Sequence, residues 1–155
     1  MITYEKAGSE RIGDAVKIRV EMLSRMHNKP EADFGGEFTR LSEEFFGSGD
    51  QTTILAYDGE KAIGCATLCY ITLMPTFDHP SGNRAHLMNV YTNADYRRQG
   101  IARQMVTILL DEAKKKGVTY ISLDTTQSGE PLYKALGFDH SKETMGLNIT
   151  NNRQL

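Results

Sequence analysis

Hydrophobic and polar positions along this chain switch period several times, and each switch predicts an element. The opening ITYEK alternates and reads as a strand. Ile12, Ala15, Val16, Arg19, Val20 and Leu23 then recur at helical spacing, predicting a helix over residues 10–26, which HNKPEAD breaks. Phe34, Phe38, Leu41, Phe45 and Phe46 predict a second helix or helical turns, ended by GSGD and packed as core. Two β-rich runs within residues 52–71 flank Asp58 and Gly59 and predict a hairpin. A long loop over residues 72–84 carries Pro75, Pro80 and Gly82, and AHLMNVYT resumes as a strand.

Ile101, Ala102, Met105, Val106, Leu109, Leu110 and Ala113 mark one face of a third helix. Lys114, Lys115 and Lys116 suit its negative end, and Gly117 its C′ position. VTYISLDTT reads as a strand. SGEPLYKALGF reads as a short helix with Pro131 in its first turn, and TMGLNI as a closing strand. The order β-α-α-β-β-β-α-β-α-β predicts an α/β fold, a mixed sheet with helices on both faces.

Composition narrows the class. The chain has 155 residues, enough for one domain with one core, and no repeat or linker divides it, so residues 1–155 are expected to form a single domain. A formal net charge of -2 argues against bulk nucleic-acid binding. No apolar run reaches the length of a membrane span, and the N-terminal stretch lacks a secretory pattern, so no membrane association and a cytoplasmic location are expected. Cys65 and Cys69, four residues apart in GCATLC, fall on one face of a strand and read as buried thiols; without a matching His or Cys cluster no metal site is expected.

One junction carries chemistry. In YTNADYRRQGIARQMV a strand becomes a helix, exposing free N–H groups and the positive end of the helix dipole. Arg97, Arg98, Gln99, Gly100, Ile101 and Ala102 fit R-x-x-G-x-A, with Arg103 just inside the helix. Gly100 and the small Ala102 allow close approach of an anion, most simply a phosphate, and Ile101 anchors the helix to the sheet. The turn lacks the Gly-Lys-Ser/Thr of a nucleotide P-loop and the G-x-G-x-x-G of a dinucleotide site.

This junction, followed by a helix, ISLDTT and PLYKALGF, resembles the GNAT superfamily of acyl-CoA-dependent N-acyltransferases, with the R-x-x-G-x-A turn and L-Y-x-x-x-G-F as its sharpest matches. The resemblance implies a GNAT-like fold with a splayed central strand pair and acetyl-CoA as co-substrate. It implies that the turn amides bind the diphosphate and that pantetheine pairs with the strand at Val90, Tyr91 and Thr92. The Val90 N–H would face the thioester oxygen, and Thr126 stands where many members place an asparagine that contacts CoA. Tyr133 matches the tyrosine facing the sulfur and is the expected general acid.

His86 stands where many members carry a glutamate and is the candidate base, with Tyr91, Glu21 and His27 as alternatives; alternation puts His86 on the face of Met88 and Val90. Arg98 and Gln99 replace the commoner Gly and Lys. The implied activity is acetyl transfer to a primary amine by direct attack; a non-catalytic acyl-CoA-binding module is the rival reading. Residues 26–38 and the 73–84 loop are expected to shape the acceptor side, and the resemblance allows a homodimer.

Overall fold

The structure, a computed structural model, describes residues 1–150. The chain divides into two compact units, Met1–Asp124 and a second that begins at Thr125.

In the first unit β1 (Ile2–Lys6) leads through a 3-10 turn, Ser9–Arg11, into α1 (Ile12–His27). Asn28, in the left-handed region at φ 50°, closes this helix with its N–H directed at the Arg25 and Ser24 carbonyls. Phe34 ends a separate 3-10 turn, Glu31–Phe34, rather than joining the second helix. Gly35 and Gly36 intervene, with Gly36 at φ 62°, and α2 runs Glu37–Phe46. β2 (Gln51–Asp58), β3 (Lys61–Thr72) and β4 (Asn83–Thr92) follow, then α3 (Ile101–Lys115) and β5 (Tyr120–Leu123).

The five strands form one sheet in the order β1-β2-β3-β4-β5. The first four are antiparallel neighbours, while β4 and β5 run parallel, so the sheet is mixed as the pattern predicts. One face carries Leu55, Tyr57, Cys65 and Tyr91 against Ala15, Val16, Ile18 and Met22 of α1 and Phe46 of α2. The buried stripe of α3, with Ile101, Met105, Val106, Leu109 and Ala113, packs against β2, β3 and β4. Burying such a stripe is what holds a helix of this length in place.

In the second unit α4 (Glu130–Ala135) forms with Pro131 in its first turn, as expected. The strand expected over residues 118–126 shortens to β5, because its ladder reaches only the four residues facing Arg84, Ala85, His86 and Leu87. The closing strand expected over TMGLNI does not form. Met145, Leu147 and Ile149 are exposed and the segment is irregular, since an alternating pattern becomes a strand only where backbone partners exist.

Candidate active site

The site begins with a defect in β4. Met88 pairs with Thr67 and Tyr91 with Cys65, so Asn89 and Val90 stand together opposite Ala66. Asn89 adopts φ 59°, a conformation asparagine tolerates better than most residues. Its side chain secures the bulge: Nδ2 donates to Thr67 Oγ1 at 3.1 Å, and Oδ1 accepts from Arg19 Nη1 of α1 at 3.0 Å. The Cys65 thiol donates to the Asn89 carbonyl at 3.1 Å.

The bulge corrects the expected alternation. Cys65 and Cys69 share a face of β3; Cys69 pairs directly with His86, and Cys65 with Tyr91. Directly opposed residues project to the same side. His86 and Tyr91, an odd number of positions apart, therefore share the α1 face, and Val90 points to the opposite face rather than joining His86. The parallel ladder also stops at Leu87 and Leu123. Beyond it, residues 88–92 have no paired strand on the β5 side among the described residues. This is the parting of two central strands that the resemblance implies.

After β4, the Asn93 side chain accepts the Asp95 N–H at 3.1 Å and starts a 3-10 turn, Ala94–Tyr96. Arg97 donates from Nε to the Thr92 carbonyl at 3.2 Å. Arg98 and Gly100 both take positive φ, 63° and 77°, and α3 starts at Ile101. Residues 97–100 are exposed, whereas Ile101 is buried and anchors the helix as expected. Among the described residues, the amides of residues 98–103 meet no backbone or side-chain acceptor, and Arg97, Arg98 and Arg103 form no ion pair. A Cβ built on Gly100 would meet nothing within 4 Å, so the glycine serves the turn's backbone and leaves open space above it. Free amides, a helix N-terminus and unpaired guanidiniums fit a diphosphate.

His86 and Ser122 are direct partners on β4 and β5, with His86 Nδ1 2.7 Å from Ser122 Oγ and Nε2 3.7 Å from the exposed Asp124 carboxylate. Of the alternatives, Tyr91 donates its hydroxyl to Glu21 Oε1 at 2.9 Å, and Asn93 Nδ2 donates to the same oxygen at 2.6 Å. Burial and then the Glu21 hydrogen bond push the Tyr91 phenol up to about 12, so it keeps its proton at neutral pH. His27, the last residue of α1, is exposed. Both cysteines are free thiols; burial pushes Cys65 up to about 12 and raises Cys69.

In the second unit, Thr126 lies 3.1 Å from Ser128, oxygen to oxygen, and accepts the Gly129 N–H at 3.3 Å. Tyr133 on α4 meets Phe138 edge to face, with ring centroids 5.9 Å apart, which explains the pairing of Tyr and Phe in L-Y-x-x-x-G-F. Burial raises its phenol, keeping it a proton donor. Among the described residues no group of three metal-ligating side chains gathers, and no helix is long and apolar enough to cross a membrane.

Sequence reasoning passed over Asn89, Asn93 and Arg19 as site residues. The signals were there: an asparagine inside a strand pattern, and an arginine inside the apolar stripe of the first helix.

Fold and turn together define a mixed α/β protein that offers an anion a row of amides where β4 gives way to α3. The model of the acetyltransferase (GNAT) family matches residues 20–138, and the chain belongs to that family. The solved structure of a predicted acetyltransferase with acetyl-CoA from Clostridium acetobutylicum superimposes with a TM-score of 0.87 at 28% identity, covering 99% of this chain and 100% of that one. An alanine N-acetyltransferase of ribosomal protein bS18 from Escherichia coli (strain K12) is 36% identical over 62 residues, 38% of this chain and 42% of that protein. The chain thus matches less than half the length of that curated relative. A glucosamine 6-phosphate N-acetyltransferase from Trypanosoma brucei brucei is 22% identical over 131 residues, 84% of this chain and 86% of that one.

Proposed function

We propose that this protein is an N-acetyltransferase that moves an acetyl group from acetyl-CoA to a primary amine by direct attack. The observation that carries the reading is the exposed turn of residues 97–100, with its run of unpaired amides into α3, directly after the end of β4 that has no paired strand on its β5 side among the described residues. The family match, which runs through both units, supports reading residues 1–155 as one catalytic domain.

In this reading the amides of residues 98–103 and the side chains of Arg97, Arg98 and Arg103 hold the diphosphate. The backbone of Val90, Tyr91 and Thr92 aligns the pantetheine arm, and Thr126 adds a contact. The thioester supplies an activated acetyl carbon. The Val90 N–H, fixed by the Asn89 bulge, stabilises charge developing on the carbonyl oxygen. His86 takes the amine proton, directly or through water, as the new C–N bond forms. As the C–S bond breaks, the Tyr133 hydroxyl gives its proton to the departing sulfur. The proton held by His86 returns to solvent, and the tyrosinate recovers one. Ser122 holds the imidazole of His86 in one orientation, which its counterpart glutamate would not need.

Two measurements test this. Saturating acetyl-CoA raises the melting temperature, because a ligand bound only by the folded state stabilises it. Free thiol is then released from acetyl-CoA in the presence of a panel of primary amines. Binding with no thiol release against any amine would favour a non-catalytic acyl-CoA-binding module; no melting shift would remove the reading altogether.

A further inference from the structure

Arg19 is placed where a charge is costly. It projects from the sheet-facing stripe of α1, half-buried, with its guanidinium 5.9 Å over the Phe38 ring of α2. Among the described residues its one side-chain hydrogen bond runs from Nη1 to the neutral Asn89 Oδ1 at 3.0 Å. Among the described residues no carboxylate lies within ion-pair distance of it. Burial lowers its pKa, and the nearby Cys65 and Cys69 thiols, both raised by burial, remain neutral and offer no counter-charge at neutral pH. A desolvated guanidinium without a partner anion is destabilising unless something else gains from it.

The surroundings indicate what gains. Cys69 pairs directly with His86, so Arg19 and His86 address the same face of the sheet. Arg84, two residues before His86 on the same strand, shares that face; its buried Nε has no acceptor and it too forms no ion pair among the described residues. The acids near this face are otherwise engaged or in solvent. Glu21 accepts from Tyr91 and Asn93 and lies 3.8 Å from Arg25, while Asp124 is fully exposed. On this face Arg19 and Arg84 thus both lack a carboxylate partner among the described residues.

We propose that the acceptor amine carries an anionic group, a carboxylate or a phosphate, which Arg19 binds on the face of the sheet that presents His86. That the bound molecule is an acetyl acceptor rests on the acetyltransferase reading; the anion site itself does not. Arg19 is a binding and positioning residue here: a planar guanidinium suits a carboxylate or phosphate fork, and pinning that end of the molecule aims its amine at His86. The rival role, a brace for the Asn89 bulge, uses one donor and no charge.

Arg19→Gln separates the two roles, since glutamine keeps an N–H for Asn89 Oδ1 and loses the charge. Asn89→Asp is the complementary variant, supplying Arg19 with the carboxylate it lacks. Protein saturated with acetyl-CoA, so that the diphosphate site is filled, is titrated with inorganic phosphate and with acetate at constant ionic strength. Both variants weaken binding of the favoured anion about tenfold or more relative to wild type. Anions that bind wild type and Arg19→Gln alike, or bind neither, overturn the proposal.

Matched acceptors then distinguish the anion's source: an amino acid against its carboxamide, and glucosamine 6-phosphate against glucosamine. Wild type favours the charged member of one pair by about tenfold or more in kcat/KM, and Arg19→Gln levels that preference. A preference that survives in Arg19→Gln, or equal use of charged and neutral members by wild type, overturns it. The acetyl-CoA melting shift of Arg19→Gln reports separately on the fold and on the acetyltransferase reading.

Discussion

Gly100→Asp sets two effects of one substitution against each other. Gly100 sits at φ 77°, and a Cβ there meets nothing within 4 Å, so the cost in the free protein is backbone strain alone, about 1 kcal/mol for a residue type that tolerates this region. In the complex, the new carboxylate stands beside the diphosphate. Like charges about 4 Å apart repel by about 1 kcal/mol in bulk water and about 4 kcal/mol at an effective dielectric near 20. The turn is exposed, which favours the lower half of that range; about 2 kcal/mol weakens binding roughly thirtyfold.

With acetyl-CoA at a hundred times the wild-type Kd, ligand stabilisation falls from about 2.7 to about 0.9 kcal/mol. For a domain of this size that takes the melting shift from about 8 °C to about 3 °C. Gly117→Asp is the control. Gly117 has φ 74° and equally open space, but it lies at the far end of α3. There an aspartate opposes the helix dipole, whereas at Gly100 it complements it, so Gly100→Asp is the more stable variant without ligand. Differential scanning fluorimetry with and without acetyl-CoA reads all four states. Equal ligand shifts in the two variants would refute the assignment of the diphosphate to this turn.

Tyr133→Phe lowers kcat about a hundredfold while leaving the acetyl-CoA melting shift intact; unchanged turnover in a thiol-release assay removes the phenol from proton transfer. His86→Gln likewise lowers kcat by about a hundredfold with cofactor binding retained, and wild-type turnover in that variant would assign the imidazole to holding Ser122 alone. Gly64→Ala destabilises the fold by about 1–3 kcal/mol, read as a lower urea midpoint, because its Cβ would lie 2.9 Å from the Tyr91 carbonyl and 3.2 Å from Met105 Cε.

Alkaline pH destabilises the protein in a defined window. Cys65 rises from 9.0 to about 12 and Tyr91 from 10.0 to about 12, chiefly through burial, with Tyr57 and Tyr70 raised for the same reason. Above pH 9 the unfolded chain therefore binds fewer protons than the folded one. Their contribution is complete below pH 9 and is lost as pH climbs towards 12, so urea midpoints fall across that range; a flat profile would contradict the burial of these groups.

The sequence by itself determined most of the element types, the hairpin and the exposed glycine turn that precedes α3. Each of these is local: period two or period 3.6, a two-residue turn at Gly59, a glycine where the backbone must enter the left-handed region before α3. The L-Y-x-x-x-G-F pattern was legible for the same reason, since Tyr133 and Phe138 meet within one short helix and its exit.

Only the tertiary structure decided the rest. The bulge at Asn89 is a matter of register between β3 and β4, and it reverses which face Val90 addresses relative to His86. The Arg19–Asn89 and Glu21–Tyr91 contacts join residues 70 positions apart. TMGLNI alternates as well as any strand in the chain yet stays irregular, because strand formation needs a neighbour's backbone and pattern alone supplies only a face. Periodicity reports how a segment would bury its side chains; what it buries them against, and which charges are left without partners, emerges only when distant segments meet.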